Sequence, residues 1–154
     1  MNVDFVNPFL DALLNVLATM ASTKATFGRP CIKTDNKSMG DITGIIGMAG
    51  EKTKGSLAIS FSEGAILHIT SQMLGEQVLK IDETVVDMVG EITNMVTGGA
   101  KKELAKQGYK FEMALPTMVT GKGHIITHKT AGAIIVIPFR INKGEFFVEV
   151  CFNK

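Results

Sequence analysis

Tryptophan is absent from this 154-residue chain and tyrosine occurs once. Flat surfaces for stacking single-stranded bases would therefore have to come from its nine phenylalanines,. Most of those sit in apolar-periodic segments and are read as core. No charge of either sign is in excess: sixteen Lys and Arg stand against fifteen Asp and Glu, a formal +1. No general field draws phosphate backbones or anionic lipid, and nucleic acid is not an expected partner. Cysteine occurs twice, at Cys31 and Cys151, outside any CxxC pair. That usage fits a reducing compartment better than a disulfide scaffold or cysteine-bound metal. No apolar run approaches the roughly 20 residues that a membrane span needs. The first 22 residues carry Asp4 and Asp11 without a basic n-region,. The expectation is a cytoplasmic protein with no membrane insertion.

What the chain does have is core material. Apolar residues make up 45% and charged residues 20%, so one compact domain over residues 1–154 is expected. Asn7 followed by Pro8 is a helix-entry signal. Phe9, Leu10, Leu13, Leu14, Leu17 and Met20 then repeat at helical spacing to about Ser22,. Ile42–Met48 and Ser56–Phe61 read as a hairpin across the loop AGEKTKG,. Ser62 caps a short helix stopped by Gly75, and Asp82 caps a longer one running to about Gln107 and stopped by Gly108,. Gly98 and Gly99 interrupt it, which predicts a kink or a close approach of another backbone. Four strand-like runs follow: Tyr109–Val119, His124–His128, Ala133–Ile141 and Phe146–Phe152,. Helix, Pro-ended strand (Pro30, Pro116) and hairpin recur in both halves. The predicted class is α+β, a pseudo-symmetric α-β-β repeat with a mostly antiparallel sheet and long helices packed beside it.

The helix from Asp82 carries the main candidate site. Val85, Met88, Val89, Ile92, Met95, Val96 and Gly99 fall within an arc of roughly 120°, which must face the core. Asp87, Glu91, Asn94 and Gly98 cluster within roughly 60° on the other side. A carboxylate and a carboxamide three residues apart project side by side, and a nearby Gly leaves room for another protein's surface. On spacing alone, an outward polar face is what any amphipathic helix has.

Other candidates are weaker. On a strand, His124 and His128 would stand roughly 13 Å apart, too far to share a metal ion. His68 has no matching ligand spacing nearby. GIIGMAG lies within a β-rich run instead of ending at a helix, and neither TGGAKK nor TGKG completes a phosphate loop,. No metal or nucleotide site is predicted.

The run ETVVDMVGEITNMVTGG followed by GYKFEMALPTMVTGKG resembles the CheC, CheX and FliY family of chemotaxis phosphatases. That family's signature is Asp or Ser, three residues, Glu, two residues, Asn, then a Pro just over twenty residues on. Asp87, Glu91, Asn94 and Pro116 fill it. The similarity extends to the opening helix NPFLDALLNV and the strand GSLAISFS. CheC-type members carry the signature twice and CheX-type members once. Here Asn15 matches the carboxamide in the first helix, but Ala12 stands where Glu belongs, so the CheX branch is the closer match.

The resemblance implies hydrolysis of the aspartyl phosphate on a CheY-like response-regulator receiver domain, terminating a chemotaxis-type signal. No cofactor is expected in this chain, because Mg²⁺ belongs to the receiver. Asn94 would position the attacking water, and Glu91 would pair with the receiver's active-site Lys. Glu91 as acceptor of the water's proton is the alternative. Asp87 and Gly98 are assigned to partner binding, while Pro116 is a structural residue ending or bending the strand beneath the helix. A homodimer is also implied, with the strand from Ala133 or from Phe146 as its pairing edge. The competing class is a non-catalytic receiver-binding adaptor or a flagellar-switch-related module.

Overall fold

The computed structural model describes residues 3–153. In chain order the elements are α1 (Val3–Met20), β1 (Thr26–Phe27), β2 (Cys31–Ile32), β3 (Ile42–Ala49), β4 (Lys54–Phe61), α2 (Glu63–Leu74), α3 (Glu83–Lys106), β5 (Glu112–Met113), β6 (Thr117–Thr120), β7 (Ile134–Ile141) and β8 (Gly144–Phe152). All the strands join one antiparallel sheet in the order β1-β7-β8-β4-β3-β5, with β2 also on β7 and β6 also on β3. The α+β class is as expected.

The repeat is visible in the pairing. Each half contributes a helix, two short strands and a hairpin, and the short strands of one half edge the hairpin of the other. The hairpins β3–β4 and β7–β8 meet at the centre through β4 and β8, where Leu57 pairs with Val150 and Ile59 with Val148. This corrects the proposed dimer edge. β8 is internal, and the outer side of β7 is taken by β1 and β2.

Alternation sorts the strand residues onto two faces. Ile42, Ile46, Leu57, Ile59, Phe61, Phe146, Val148 and Val150 point to the helical side and are buried with Phe9, Leu13, Leu17, Val85, Val89, Ile92 and Val96. Seven phenylalanines are core; Phe27 is exposed and Phe147 half-buried.

Local signals fixed α2 and α3 closely. The Ser62 side chain accepts from the Ala65 N–H at 3.3 Å, and Gly75 is left-handed at φ 71°. Asp82 Oδ1 accepts from the Val85 N–H at 3.2 Å, and Gly108 follows the end of α3 at φ 91°. α1 departs from expectation. It begins at Val3, with Pro8 inside it, because burying Phe5 and Val6 outweighs the local Asn-Pro entry signal. Ser22, at φ 45°, supplies the left-handed exit,.

Two predicted strands are also corrected. Tyr109–Val119 resolves into β5 and β6, separated at Leu115–Pro116. His124–His128 is not a strand, apart from one isolated bridge between Ile125 and Lys37. Residues 121–132 instead cross the sheet face remote from the helices, held by main-chain bonds to residues 36, 38 and 41 and by side chains. His124 Nε2 is 2.6 Å from Thr43 Oγ1, which in turn is 2.7 Å from Ser60 Oγ. His128 Nδ1 is 2.5 Å from Ser56 Oγ, and its Nε2 is 3.1 Å from Glu149 Oε1. Lys33 Nζ donates to Glu149 Oε2 at 2.8 Å, completing an ion pair whose side chains are each 2% exposed. Every member of this cluster has a partner, as buried polar groups require.

Candidate active site

The site is built on α3. Its helix-side neighbour on the sheet is β3, and Gly44 is what lets them approach: a Cβ there would collide with the Thr93 side chain and lie 3.0 Å from Val89 Cγ1. On the next flank, a Cβ on Gly90 would meet Met118 Sδ and Cε at 3.1 Å and Pro116 Cγ at 3.9 Å. Pro116 thus packs over the turn that carries Glu91, just before β6 begins. On the α1 side, a Cβ on Gly99 would come within 3.0 Å of Ala12 Cβ. Of the two outcomes foreseen for the glycine pair, the close approach is the one realised. α3 runs unbroken from Glu83 to Lys106.

The buried arc of α3 is wider than its apolar residues suggested. Gly90, Thr93 and Thr97 are buried, whereas Met88 and Met95 are only partly so. The threonines enter the core because each hydroxyl donates back into its own helix, Thr93 to the Val89 carbonyl and Thr97 to the Thr93 carbonyl, both at 2.7 Å,. Sequence spacing carries no sign of that pairing.

The polar ridge lies opposite. Asp87 and Glu91 are exposed; Asn94 and Gly98 are half-buried. Glu91 and Asn94 are separated by about 4.5 Å of helix rise and 60° of rotation, so their side chains emerge together. Among the described residues, Asp87, Glu91 and Asn94 make no side-chain hydrogen bond or ion pair. Two strong hydrogen-bonding groups held on a rigid, well-anchored helix with no internal partner are available to another molecule. A Cβ on Gly98 would meet nothing within 4 Å, which leaves the surface one turn beyond Asn94 low.

Elsewhere the features are structural. His124 and His128 are tied to different strands of the buried cluster, and His68 Nε2 lies 3.4 Å from Thr23 Oγ1. Among the described residues no three His, Cys, Asp or Glu come together to hold a metal ion. No helix among them is long and apolar enough to cross a membrane. A groove of about 740 Å³ lined by Gly50, Lys52, Tyr109 and Lys110 sits beyond the C-terminal end of α3, about 18 Å along the helix from Asn94. It touches none of the ridge residues.

The model of the family described as chemotaxis phosphatase CheX matches residues 42–140, a span that includes the ridge, Pro116, the β3–β4 hairpin and nearly all of β7. The chain belongs to the CheX family. Its likeness to family members extends beyond that span. The CheY-P phosphatase CheX of Thermotoga maritima is 26% identical over 148 residues, covering 96% of this chain and 94% of that one. A crystal structure of a CheC-like superfamily protein from Shewanella sp. PV-4 superposes with a TM-score of 0.93 at 54% identity, covering 100% of both chains. The CheX in the CheX–CheY–BeF3–Mg complex from Borrelia burgdorferi shares the fold at a TM-score of 0.83 and 23% identity, covering 99% of this chain and 100% of that one.

Proposed function

We propose that this CheX-family chain hydrolyses the aspartyl phosphate of a CheY-like receiver domain, with Asn94 positioning the attacking water and Glu91 fixing the approach. The observation that carries the reading is the pairing of Glu91 and Asn94, one turn apart on the open face of α3 and unsatisfied within the chain. The names of two relatives support the substrate class: one is a CheY-P phosphatase, and the other was solved with CheY, BeF3 and Mg.

The chemistry suits so sparse a site. Hydrolysis of an acyl phosphate needs in-line placement of water and neutralisation of phosphoryl charge more than a covalent nucleophile. The receiver brings the phosphoaspartate, and Mg²⁺ bound to the receiver would neutralise charge on the phosphoryl oxygens. An Asn carboxamide both accepts and donates. Its oxygen accepts from the incoming water, and its NH₂ donates to a phosphoryl oxygen. Water oxygen bonds to phosphorus as the bond to the aspartyl oxygen breaks, giving a free carboxylate and inorganic phosphate. Asn cannot take up the proton, which leaves with the phosphate. Glu91 is an acceptor-only group suited to a charge-assisted hydrogen bond with a receiver ammonium. Asp87, one turn earlier, adds a second acidic contact, and Gly98 gives clearance. Pro116 holds the flank of α3 rather than touching the reaction.

The test is the decay of a phosphorylated receiver with wild-type chain, Asn94→Ala and Glu91→Ala. Wild type accelerates decay, and Asn94→Ala loses about a hundredfold or more of that acceleration. Glu91→Ala loses it chiefly through weaker binding. Full activity in Asn94→Ala removes the water-positioning role. Receiver binding without faster decay in wild type favours the adaptor.

A further inference from the structure

The pairing register contains a device at the rim of the site. Met113 pairs with Met48, and Thr117 with Ile45. Residues 114, 115 and 116 therefore stand opposite only 46 and 47, so the edge strand carries one extra residue there. This is a β-bulge, a feature that bends a strand and re-aims a side chain. The Ala114 N–H keeps the ladder by donating to the Gly47 carbonyl at 3.0 Å. Pro116 turns in against Gly90. Leu115, between them, is turned out and is 87% exposed.

The other half of the chain repeats the bulge with a different residue. Phe27 pairs with Phe139 and Cys31 with Val136, so residues 28, 29 and 30 face only 137 and 138. The Gly28 N–H donates to the Pro138 carbonyl at 2.8 Å, as Ala114 does to Gly47. Pro30 and Pro116 are equivalent, and so are Arg29 and Leu115. The half whose helix has Ala12 in place of the acid carries Arg at the outward position. The half that keeps Glu91 carries Leu. A single exposed leucine needs no explanation; one re-aimed by a bulge whose proline packs beside Glu91, in the functional half alone, does.

We infer that Leu115 is a receiver-binding residue: an apolar contact that docks against the receiver beside the phosphoaspartate pocket, on the flank of Glu91. The inference rests on the reading of α3 given above. The ridge's polar contacts all lie along one line of α3, and Leu115 supplies a contact off that line, on the flank formed by Pro116.

Three variants test it: Leu115→Arg, which installs the residue of the inactive half, Leu115→Met, and Ile125→Arg. Ile125 is 59% exposed on the segment crossing the opposite sheet face. Melting temperature checks folding. The readouts are KM and kcat for phosphorylated receiver, and Kd for the receiver activated with beryllofluoride and Mg²⁺, which needs no hydrolysis. Leu115→Arg is expected to raise KM and Kd about tenfold with kcat within about twofold. Leu115→Met and Ile125→Arg remain at wild-type values. Unchanged KM and Kd in Leu115→Arg overturn the inference, as does a fall in kcat at constant KM, which would mean an effect through α3 geometry. Wild-type binding without hydrolysis defeats the phosphatase reading while the Kd comparison still decides Leu115. Absence of wild-type binding defeats both.

Discussion

Replacing Gly98 by alanine separates what the fold wants from what docking wants. A Cβ at Gly98 would meet no atom within 4 Å, and α3 is continuous on both sides. In a helix interior, alanine is favoured over glycine by about 1 kcal/mol, partly because it restricts the unfolded chain. For a chain of this length about 1 kcal/mol is roughly 2–4 °C in Tm. Folding alone therefore prefers alanine. What glycine provides is clearance four residues beyond Asn94, about 6 Å along the same face. Gly98→Ala is expected to raise Tm by about 3 °C in scanning calorimetry. It is also expected to raise KM for phosphorylated receiver about tenfold, the scale of an overpacked methyl at a close-fitting surface. Gly99→Ala is the comparison. Its Cβ would lie 3.0 Å from Ala12 Cβ, so strain offsets the propensity gain and Tm does not rise. A Gly98→Ala variant that is more stable and turns over receiver as well as wild type refutes the clearance argument. A lower Tm refutes the premise of open space.

Three further outcomes follow from the packing. Gly44→Ala forces the Thr93 hydroxyl aside and is expected to cost about 1–3 kcal/mol; adding Thr93→Ala removes the collision, so a double-mutant cycle by urea unfolding gives favourable coupling, and simple additivity would contradict the contact. Lys33→Met leaves the buried Glu149 carboxylate with His128 alone and should lower Tm by about 10 °C; Lys33→Met with Glu149→Leu recovers most of that, and an unchanged Tm in the single variant argues against the ion pair. Burial pushes the Cys151 thiol above its ordinary value, so the thiolate is rarer there than in the unfolded chain. A maleimide at neutral pH should label exposed Cys31 and spare Cys151 until unfolding,. For the same reason, raising pH through the ordinary thiol range costs stability, and lowering it below that range costs none.

What could be read from the residues, and what could not, divides by the range of the interaction. Ser62, Gly75, Asp82 and Gly108 act on groups within a few positions, and the two helices they bound are where those residues said. The Asn7–Pro8 signal is as local, yet Phe5 and Val6 reach a core assembled from Phe152, Tyr109 and Phe9, and long-range burial extended α1 past it. The segment HIITH has the β-branched composition of a strand. Its two histidine side chains reach Thr43, Ser56 and Glu149, at separations of 81, 72 and 21 positions, and its main chain bonds residues 36 and 38; no periodicity encodes these partners. The Lys33–Glu149 pair spans 116 positions and left no trace in the sequence. The ridge on α3 was legible because helical spacing alone brings its members together. The bulge was not, although the matching positions of Pro30 and Pro116 hinted at it.

The two halves agree wherever folding demands it and differ wherever it does not. The hairpins, the short edge strands and even the bulges correspond, because each apolar face must meet the other half's sheet and helix in one core. Glu91, Arg29 and Leu115 are exposed at places that the core does not constrain, whereas Ala12, which matches Glu91, packs against α3 at Gly99. Exposed and unpartnered, Glu91 contributes nothing to stability that alanine would not, and Asn94 contributes little more. Their replacement by alanine should therefore leave unfolding free energy within about 0.5 kcal/mol of wild type. The fold itself gives Glu91 and Asn94 no structural task. For that reason Glu91→Ala and Asn94→Ala read out receiver chemistry uncontaminated by folding, and a large stability loss in either would mean that the ridge is part of the scaffold after all.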